Sequence, residues 1–458
     1  MAPPRVIIIG AGPAGTRCAE ALVAAGLRPV VIDEGRRSGG QIYRRQPDNF
    51  RRSYATLYGT EAGRALAIHC TFDGLAGRIE YRPDTLVWNI AGREIFTVRA
   101  GRQEILPFDA LVLCTGATDR LMPVKGWNLP GVFTLGGAQV ALKAQACAIG
   151  RRVVFLGTGP LLYLVAAQYR KAGADIAAVL DTSSWSARIA ALPRMLARPS
   201  VLWKGAMLAL SLALRRVPVS TGITPLSIEG DGTMGVRAVA YRDVRGGVRS
   251  VACDAVAVGW HLRPETQLAD LAKCDFVFDD ETRQWLPRSD PDGRSSVPGI
   301  YLAGDGQAIR GAGAAEISGQ LAAAAVLADL AGLPVTPAAL RLRTAAAAWR
   351  RFARGVFRAF PWPHRLAAAL PDDAVICRCE TISAGDLRRV VHETGAREAN
   401  RAKAFSRVGM GRCQGRYCGH AGAEVIAAAA GVPVEQVGRL RGQAPVKPLP
   451  VAIEEAAE

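Results

Sequence analysis

The first forty residues limit the fold more than any other stretch. Residues 5–9, RVIII, are a short apolar run rich in β-branched side chains, and Gly10-Ala11-Gly12-Pro13-Ala14-Gly15 follows at once. The next ten residues read as a helix stopped by Gly26, and residues 29–32 read as a second buried strand ending at Asp33-Glu34. Strand, glycine turn, helix and strand in this order make a dinucleotide-binding βαβ unit.

Each residue of the turn has a distinct task. Gly10 makes the tight turn, Gly12 lets backbone approach a pyrophosphate, and Gly15 lets the helix pack close to the strand. Pro13 and Ala14 complete the turn, and the N-terminus of the helix that follows offers free N–H groups and a positive dipole end. Asp33 and Glu34 are both candidates for the adenosine ribose. Seventeen residues lie between Gly15 and Asp33, near the usual spacing of about 20, which favours Asp33. The double glycine in Ser38-Gly39-Gly40-Gln41 lets backbone pass close to a cofactor, with Gln41 beside it. No C-x₄-C follows in this stretch, so no redox-active disulfide of the glutathione-reductase kind is expected. Residues 44–80 read as polar and helical.

The pattern then repeats. Residues 152–156 form a strand, Gly157-Thr158-Gly159-Pro160 a turn, and residues 176–180 a returning strand closed by Asp181. A strand at 109–114 running into Thr115-Gly116 is echoed at 253–259. The offsets agree, 147 from Gly10 to Gly157 and 145 from Asp109 to Asp254. One nucleotide-binding domain is therefore duplicated and inserted into the other. In the copy, Leu162 replaces the third glycine and denies the close helix–strand approach. A nucleotide such as NAD or ATP, some other ligand, or a structural relic all remain open there. A strand at 300–303 ending in Gly304-Asp305 returns the chain to the first domain. An Asp at such a strand end can accept hydrogen bonds from ribityl hydroxyls.

The net charge is +17. Two stretches hold no acid: residues 182–216, and residues 341–365 with seven arginines among Trp349, Phe352, Phe357, Phe360 and Trp362. Both read as basic amphipathic helices suited to a membrane surface, a partner or an ordinary solvated face. No run reaches the roughly 18 apolar residues of a membrane span, and the N-terminus does not read as a signal peptide. A cytoplasmic location is expected, peripheral to the membrane at most, with no nucleic-acid partner. Cysteines there should be free. Six are scattered and expected in the core.

The other four are Cys377, Cys379, Cys413 and Cys418, with 33 residues between the pairs. Two tight thiolate pairs, one in a glycine-rich turn, indicate a metal site. Zinc usually takes pairs two to four residues apart. The C-x-C and C-x₄-C spacings, with glycines that let N–H groups point at sulfides, favour a [2Fe–2S] cluster. Structural zinc is the alternative. His420 is expected on the surface, and Ser383 with Asp386 should cap a helix.

These motifs resemble known families. Gly10-x-Gly12-x-x-Gly15, Cys114-Thr115-Gly116 and Ala303-Gly304-Asp305 are similar to the two-dinucleotide-binding flavoproteins, which implies FAD in the first domain. Cys377-Arg378-Cys379-Glu380 with the turn at 409–418 resembles the bacterioferritin-associated-ferredoxin-like [2Fe–2S] domain. Together they resemble the α-type (A) chains of opine oxidase, hydrogen cyanide synthase and D-hydroxyproline dehydrogenase. The implied fold is α/β: an FAD domain at 1–118 and 290–335, an inserted NAD(P)-binding-like domain at 119–289, a basic linker at 336–370 and a small helical cluster domain at 371–458. The implied function is an electron-transfer subunit, with a β-subunit flavoprotein of the amino-acid-oxidase type as partner. No catalytic side chain is identified. A self-sufficient NAD(P)H-dependent reductase and a non-enzymatic scaffold are the alternatives.

Overall fold

The computed structural model describes residues 3–50, 52–332, 337–450 and 454–455. Val6–Ile9 is the central strand of a five-stranded parallel sheet, ordered Ile300–Leu302, Ala110–Leu113, Val6–Ile9, Val30–Ile32, Glu80–Arg82. All four residues of the central strand are buried, as they must be in a parallel sheet covered on both faces. Helices Pro13–Ala24 and Ala312–Ala331 cover one face, where Ile8, Leu22, Ala322 and Val326 share a core. The other face packs Ile7 and Ile9 against strands Leu86–Ala91 and Glu94–Arg99 and against Leu268, Leu271 and Cys274.

The duplication is real. A second parallel sheet runs Val219–Thr221, Asp175–Asp181, Arg152–Thr158, Ala255–Trp260, Val132–Thr134. Its strands fall in the same spatial order around the glycine turn as those of the first sheet. The fifth strand of this copy precedes its glycine strand, whereas in the first sheet it follows.

Several expectations change. The stretch after Gln41 is not helical throughout: helix begins only at Tyr54, and Tyr43, Leu57, Ala65 and Ile68 form a small core of their own. Of the six scattered cysteines, Cys70 and Cys147 are exposed rather than buried, although all ten are free. Ala312–Ala331 is long and apolar enough to cross a bilayer, a length that alternating Gly, Ser and Ala hides in sequence. Here it packs so close to the first helix that a Cβ on Gly319 would overlap the Ala14 carbonyl.

The two basic stretches behave oppositely. The expected linker contains the 23-residue helix Pro337–Ala359, and its Trp349, Phe352 and Phe357 are buried. That helix turns its aromatic face inward, against helix Trp185–Met195 and Ala312–Ala331. In residues 185–214 many apolar side chains stay outside: Leu212 is buried, but among the described residues eight of the twenty large apolar side chains left exposed lie there. The C-terminal domain has its own core, built from Ile376, Leu387, Val391, Val425 and Ile426. Its first long helix, Ala384–Thr394, starts at a complete Ser383–Asp386 capping box.

Candidate functional site

The turns at 10–15, 39–40, 115–116 and 304–306 meet at the carboxyl ends of the first sheet, where open α/β sheets bind ligands. A Cβ on Gly10 would overlap the Cys114 carbonyl, and one on Gly15 would overlap the Gly10 carbonyl. Gly10 also sits at φ +111°. The fold itself therefore requires both glycines. Gly12 is different. The nearest atom to a Cβ there is the Gly40 Cα at 3.6 Å, an ordinary contact, and its φ of −78° suits any residue. The chain leaves room beside Gly12, as a pyrophosphate cradle must. No side chain caps the helix that opens at Pro13, so the N–H groups of its first turn remain for an anion.

Asp33 accepts the Ala11 N–H at 2.5 Å and the Gly35 N–H at 2.7 Å, one on each oxygen. A carboxylate has about four acceptor positions, so Asp33 keeps capacity for hydroxyls. Burial pushes its pKa up, against the pull of the two N–H groups. Glu34 turns outward and pairs with Lys447. Gln41 is exposed and bonded to Arg44, so both stand at the edge of the cradle. Gly304 takes φ +69°, and a Cβ on it would lie 2.9 Å from that of Ala14. Asp305 accepts N–H groups of Arg310 and Gly311, both through Oδ1, at 2.8 and 3.0 Å. Burial raises its pKa too. The Thr115 hydroxyl donates to the Glu265 carbonyl at 2.6 Å, and Gly116 takes φ +71°.

The corresponding end of the second sheet is filled by the chain itself. Asp181 is fully buried and accepts four donors: Thr158 Oγ1 at 2.6 Å, Ser183 N–H at 2.7 Å, Tyr163 Oη at 2.8 Å and Arg188 at 2.7 Å. The Arg188 guanidinium also lies over the rings of Tyr163, Trp185 and Phe360. His261 stands where a Cβ on Gly159 would touch it at 3.4 Å. Its ring stacks on Phe357 with centroids 4.5 Å apart, and its Nε2 donates to the Phe360 carbonyl at 2.6 Å. Burial holds His261 neutral, its pKa pulled down to about 4. Leu162 is wholly buried among Leu135, Phe155 and Val165.

The four C-terminal cysteines come together as two pairs, Cys377 with Cys418 and Cys379 with Cys413, each pair joined by a thiol hydrogen bond. Four thiolates brought together by a glycine-rich turn are a donor set that would hold a [2Fe–2S] cluster. The hydrogen bond from Cys418, helped by N–H groups of Gly409, Glu380 and Cys379, lowers the Cys377 pKa to about 6. A thiolate of that kind is the ligand form. A Cβ on Gly411 would overlap that of Cys379, so the turn is shaped for close approach. His420, expected on the surface, is half-buried beside the cysteines, and burial with the charges of Arg120 and Arg263 keeps it neutral.

Sequence reasoning missed Glu265, Arg416, Arg188 and His261. Their roles depend on partners far away in the chain, and no local pattern marks them.

Residues 4–326 match the pyridine nucleotide-disulphide oxidoreductase family, and residues 375–428 match the BFD-like [2Fe–2S] binding domain. The A-type chain of opine oxidase from Rhizobium meliloti is 39% identical over 98% of this chain and 86% of its own length. Hydrogen cyanide synthase subunit HcnB of Pseudomonas aeruginosa is 32% identical over 97% of both. L-proline dehydrogenase from P. horikoshii superposes with a TM-score of 0.70 over 98% of this chain and 79% of that one, at 19% identity. The chain belongs to the pyridine nucleotide-disulphide oxidoreductases and, among them, to the group that holds HcnB and the A-type chains of opine oxidase: it is an FAD- and [2Fe–2S]-carrying electron-transfer subunit of a multisubunit dehydrogenase.

Proposed function

We propose that electrons enter this chain from a partner flavoprotein of the amino-acid-oxidase type, which oxidises an amino acid, amine or opine. The observation that carries this reading is the filled second nucleotide site. Asp181 has no acceptor position left for a ribose, and His261 with Phe357 stands over the glycine turn. A nicotinamide donor has no seat there, so a different donor must supply the electrons. FAD takes two electrons together and the cluster passes them singly.

In this reading Gly10, Gly12, Pro13, Ala14, Gly15, Asp33, Thr115, Gly116, Gly304 and Asp305 hold the FAD, with Glu34 and Gln41 at its rim. Cys377, Cys379, Cys413 and Cys418 hold the cluster. The domain limits follow the cores. The inserted unit runs from 119 to about 262 rather than to 289, since Leu268 and Cys274 pack under the first sheet. Residues 337–370 form a structured strap, and the cluster domain starts at 371; Val446 returns to the core under the first sheet and Glu454–Glu455 pairs with Arg102–Gln103. The chain works in the cytoplasm, at the inner face of the membrane.

The test is stopped-flow spectroscopy. Micromolar NADH should leave the flavin oxidised in the isolated chain. Co-expressed with its neighbouring flavoprotein, the chain should co-purify and reduce a dye with an opine, D-hydroxyproline, glycine or sarcosine. Rapid bleaching by NADH, or turnover of these substrates by the isolated chain, would reject the proposal in favour of a self-sufficient reductase or oxidase.

A further inference from the structure

One strand leads from the flavin side of the molecule to the cluster loop. Leu262–Pro264 pairs antiparallel with Ala117–Asp119, placing Pro264 opposite Ala117. The pairing continues one step, since Glu265 N–H donates to the Gly116 carbonyl at 3.0 Å and Thr115 donates back to the Glu265 carbonyl. Alternate residues of an extended segment share a face. Here those residues are Arg263 and Glu265; Gln267 opens the short helix Gln267–Leu271 that follows, and all three grip residues 414–416. Gln267 Nε2 donates to the Gln414 carbonyl at 2.7 Å and Arg263 to the Arg416 carbonyl at 3.1 Å. Glu265 accepts Arg416 Nε at 2.7 Å and Nη2 at 3.3 Å.

Arg416 lies between Cys413 and Cys418. Both it and Glu265 are buried, at 8% and 9% exposure. A buried pair holds its geometry only when its remaining donors are satisfied, and Arg416 also donates to the carbonyls of Cys413 at 3.2 Å and Val446 at 2.8 Å. The cluster domain has other anchors: Trp127 donates to the Val375 carbonyl, Arg283 pairs with Glu424, and Arg439 pairs with Asp270. Docking of the domain therefore does not depend on Glu265. What Glu265 holds is the loop that carries two of the four thiolates.

We infer that Arg263, Glu265 and Gln267 are positioning residues that clamp the cluster loop to the flavin-side strand end, and that the Glu265–Arg416 pair balances the charge beside the cluster. The inference rests on the assignment of the cluster to the four cysteines. That assignment is tested separately by iron content in Cys413→Ser.

Reduction adds negative charge to the cluster. Glu265→Gln removes a negative charge beside the cluster and should raise the midpoint potential; Arg416→Gln removes a positive charge and should lower it. Both are read by EPR-monitored redox titration of protein purified with its cofactors, with FAD and iron content as controls. Shifts of opposite sign are the signature of charge; loosening alone would move both variants the same way. Same-sign shifts, or an unchanged potential and EPR spectrum in iron-replete variants, would overturn the inference. Should Glu265→Gln not retain iron, the neutral Gln267→Ala decides. It should keep the wild-type potential while flavin-to-cluster transfer slows on the order of tenfold or more, and an unchanged rate would overturn the clamp.

Discussion

Gly12 and Gly15 look alike in sequence, yet different neighbours require them. A side chain at Gly15 collides with the chain's own Gly10 carbonyl, whereas one at Gly12 meets only the Gly40 Cα at 3.6 Å. Gly15→Ala should therefore destabilise the protein by several kcal/mol or prevent folding, since backbone cannot yield there. Gly12→Ala should fold with an apo melting temperature near wild type and lose FAD, read from the visible spectrum. A fully flavinylated Gly12→Ala would place the pyrophosphate elsewhere. His261 sets a pH dependence. Its pKa falls from an ordinary 6.5 to about 4 in the folded state, so the unfolded chain binds the extra proton first. Its contribution is whole above pH 6.5 and is lost as the pH falls from 6.5 toward 4, a few kcal/mol at the limit. In His261→Phe, the fall in melting temperature across that window should be shallower than in wild type.

Among the elements, the helical pair Trp185–Met195 and Pro199–Leu214 is the outlier. Trp185, Ile189 and Leu196 on the first and just past its end, with Trp203, Leu210 and Leu214 on the second, are all exposed, Leu214 to 76%. Exposed apolar surface on this scale marks a contact with a membrane or partner. Residues 182–216 carry no acid, and Arg215 and Arg216 close the second helix, which favours an anionic bilayer, where each cation adds about 1 kcal/mol near the surface. The purified chain should sediment with phosphatidylglycerol vesicles, less so at high salt, and weakly with phosphatidylcholine. Trp203→Glu with Leu210→Glu should release it without loss of FAD or iron. Failure to bind any vesicle would assign this surface to a partner protein instead. The helix Pro337–Ala359 has equally basic composition but spends its aromatics on the core and on the second nucleotide turn.

At the scale of the molecule, the two cofactor sites rest on separate cores, one under the first sheet and one in the C-terminal helices. Cys413→Ser should therefore abolish the cluster while FAD remains bound. Parallel measurement of iron and flavin checks this, and unchanged iron would reject the ligand set. Separate cores also mean that the relative placement of the cofactors depends on side chains between them. Arg283 with Glu424, which also accepts from Trp362 Nε1 at 3.2 Å, is one such tie. Removing the half-buried Arg283 leaves the buried Glu424 carboxylate without its cation, a loss that in a fully buried pair costs about 3–5 kcal/mol and less here. Arg283→Met should accordingly lower the melting temperature and leave both cofactor contents unchanged at low temperature.

The sequence by itself determined whatever depends on near neighbours in the chain. The βαβ unit, its repeat, the Ser383–Asp386 cap and the four-cysteine pattern are local, because turn conformation, helix capping and side-chain period act over a few residues. Leu162 likewise announced that the second unit departs from the first. Tertiary structure decided what depends on distance in space. It alone filled the Asp181 carboxylate, since Arg188 and Tyr163 reach it only once strand and helix have packed. It alone told two basic aromatic stretches apart, because composition does not say which face of a helix finds a core. And it alone brought Glu265 to Arg416 across 151 positions, a pairing set by the docking of two domains.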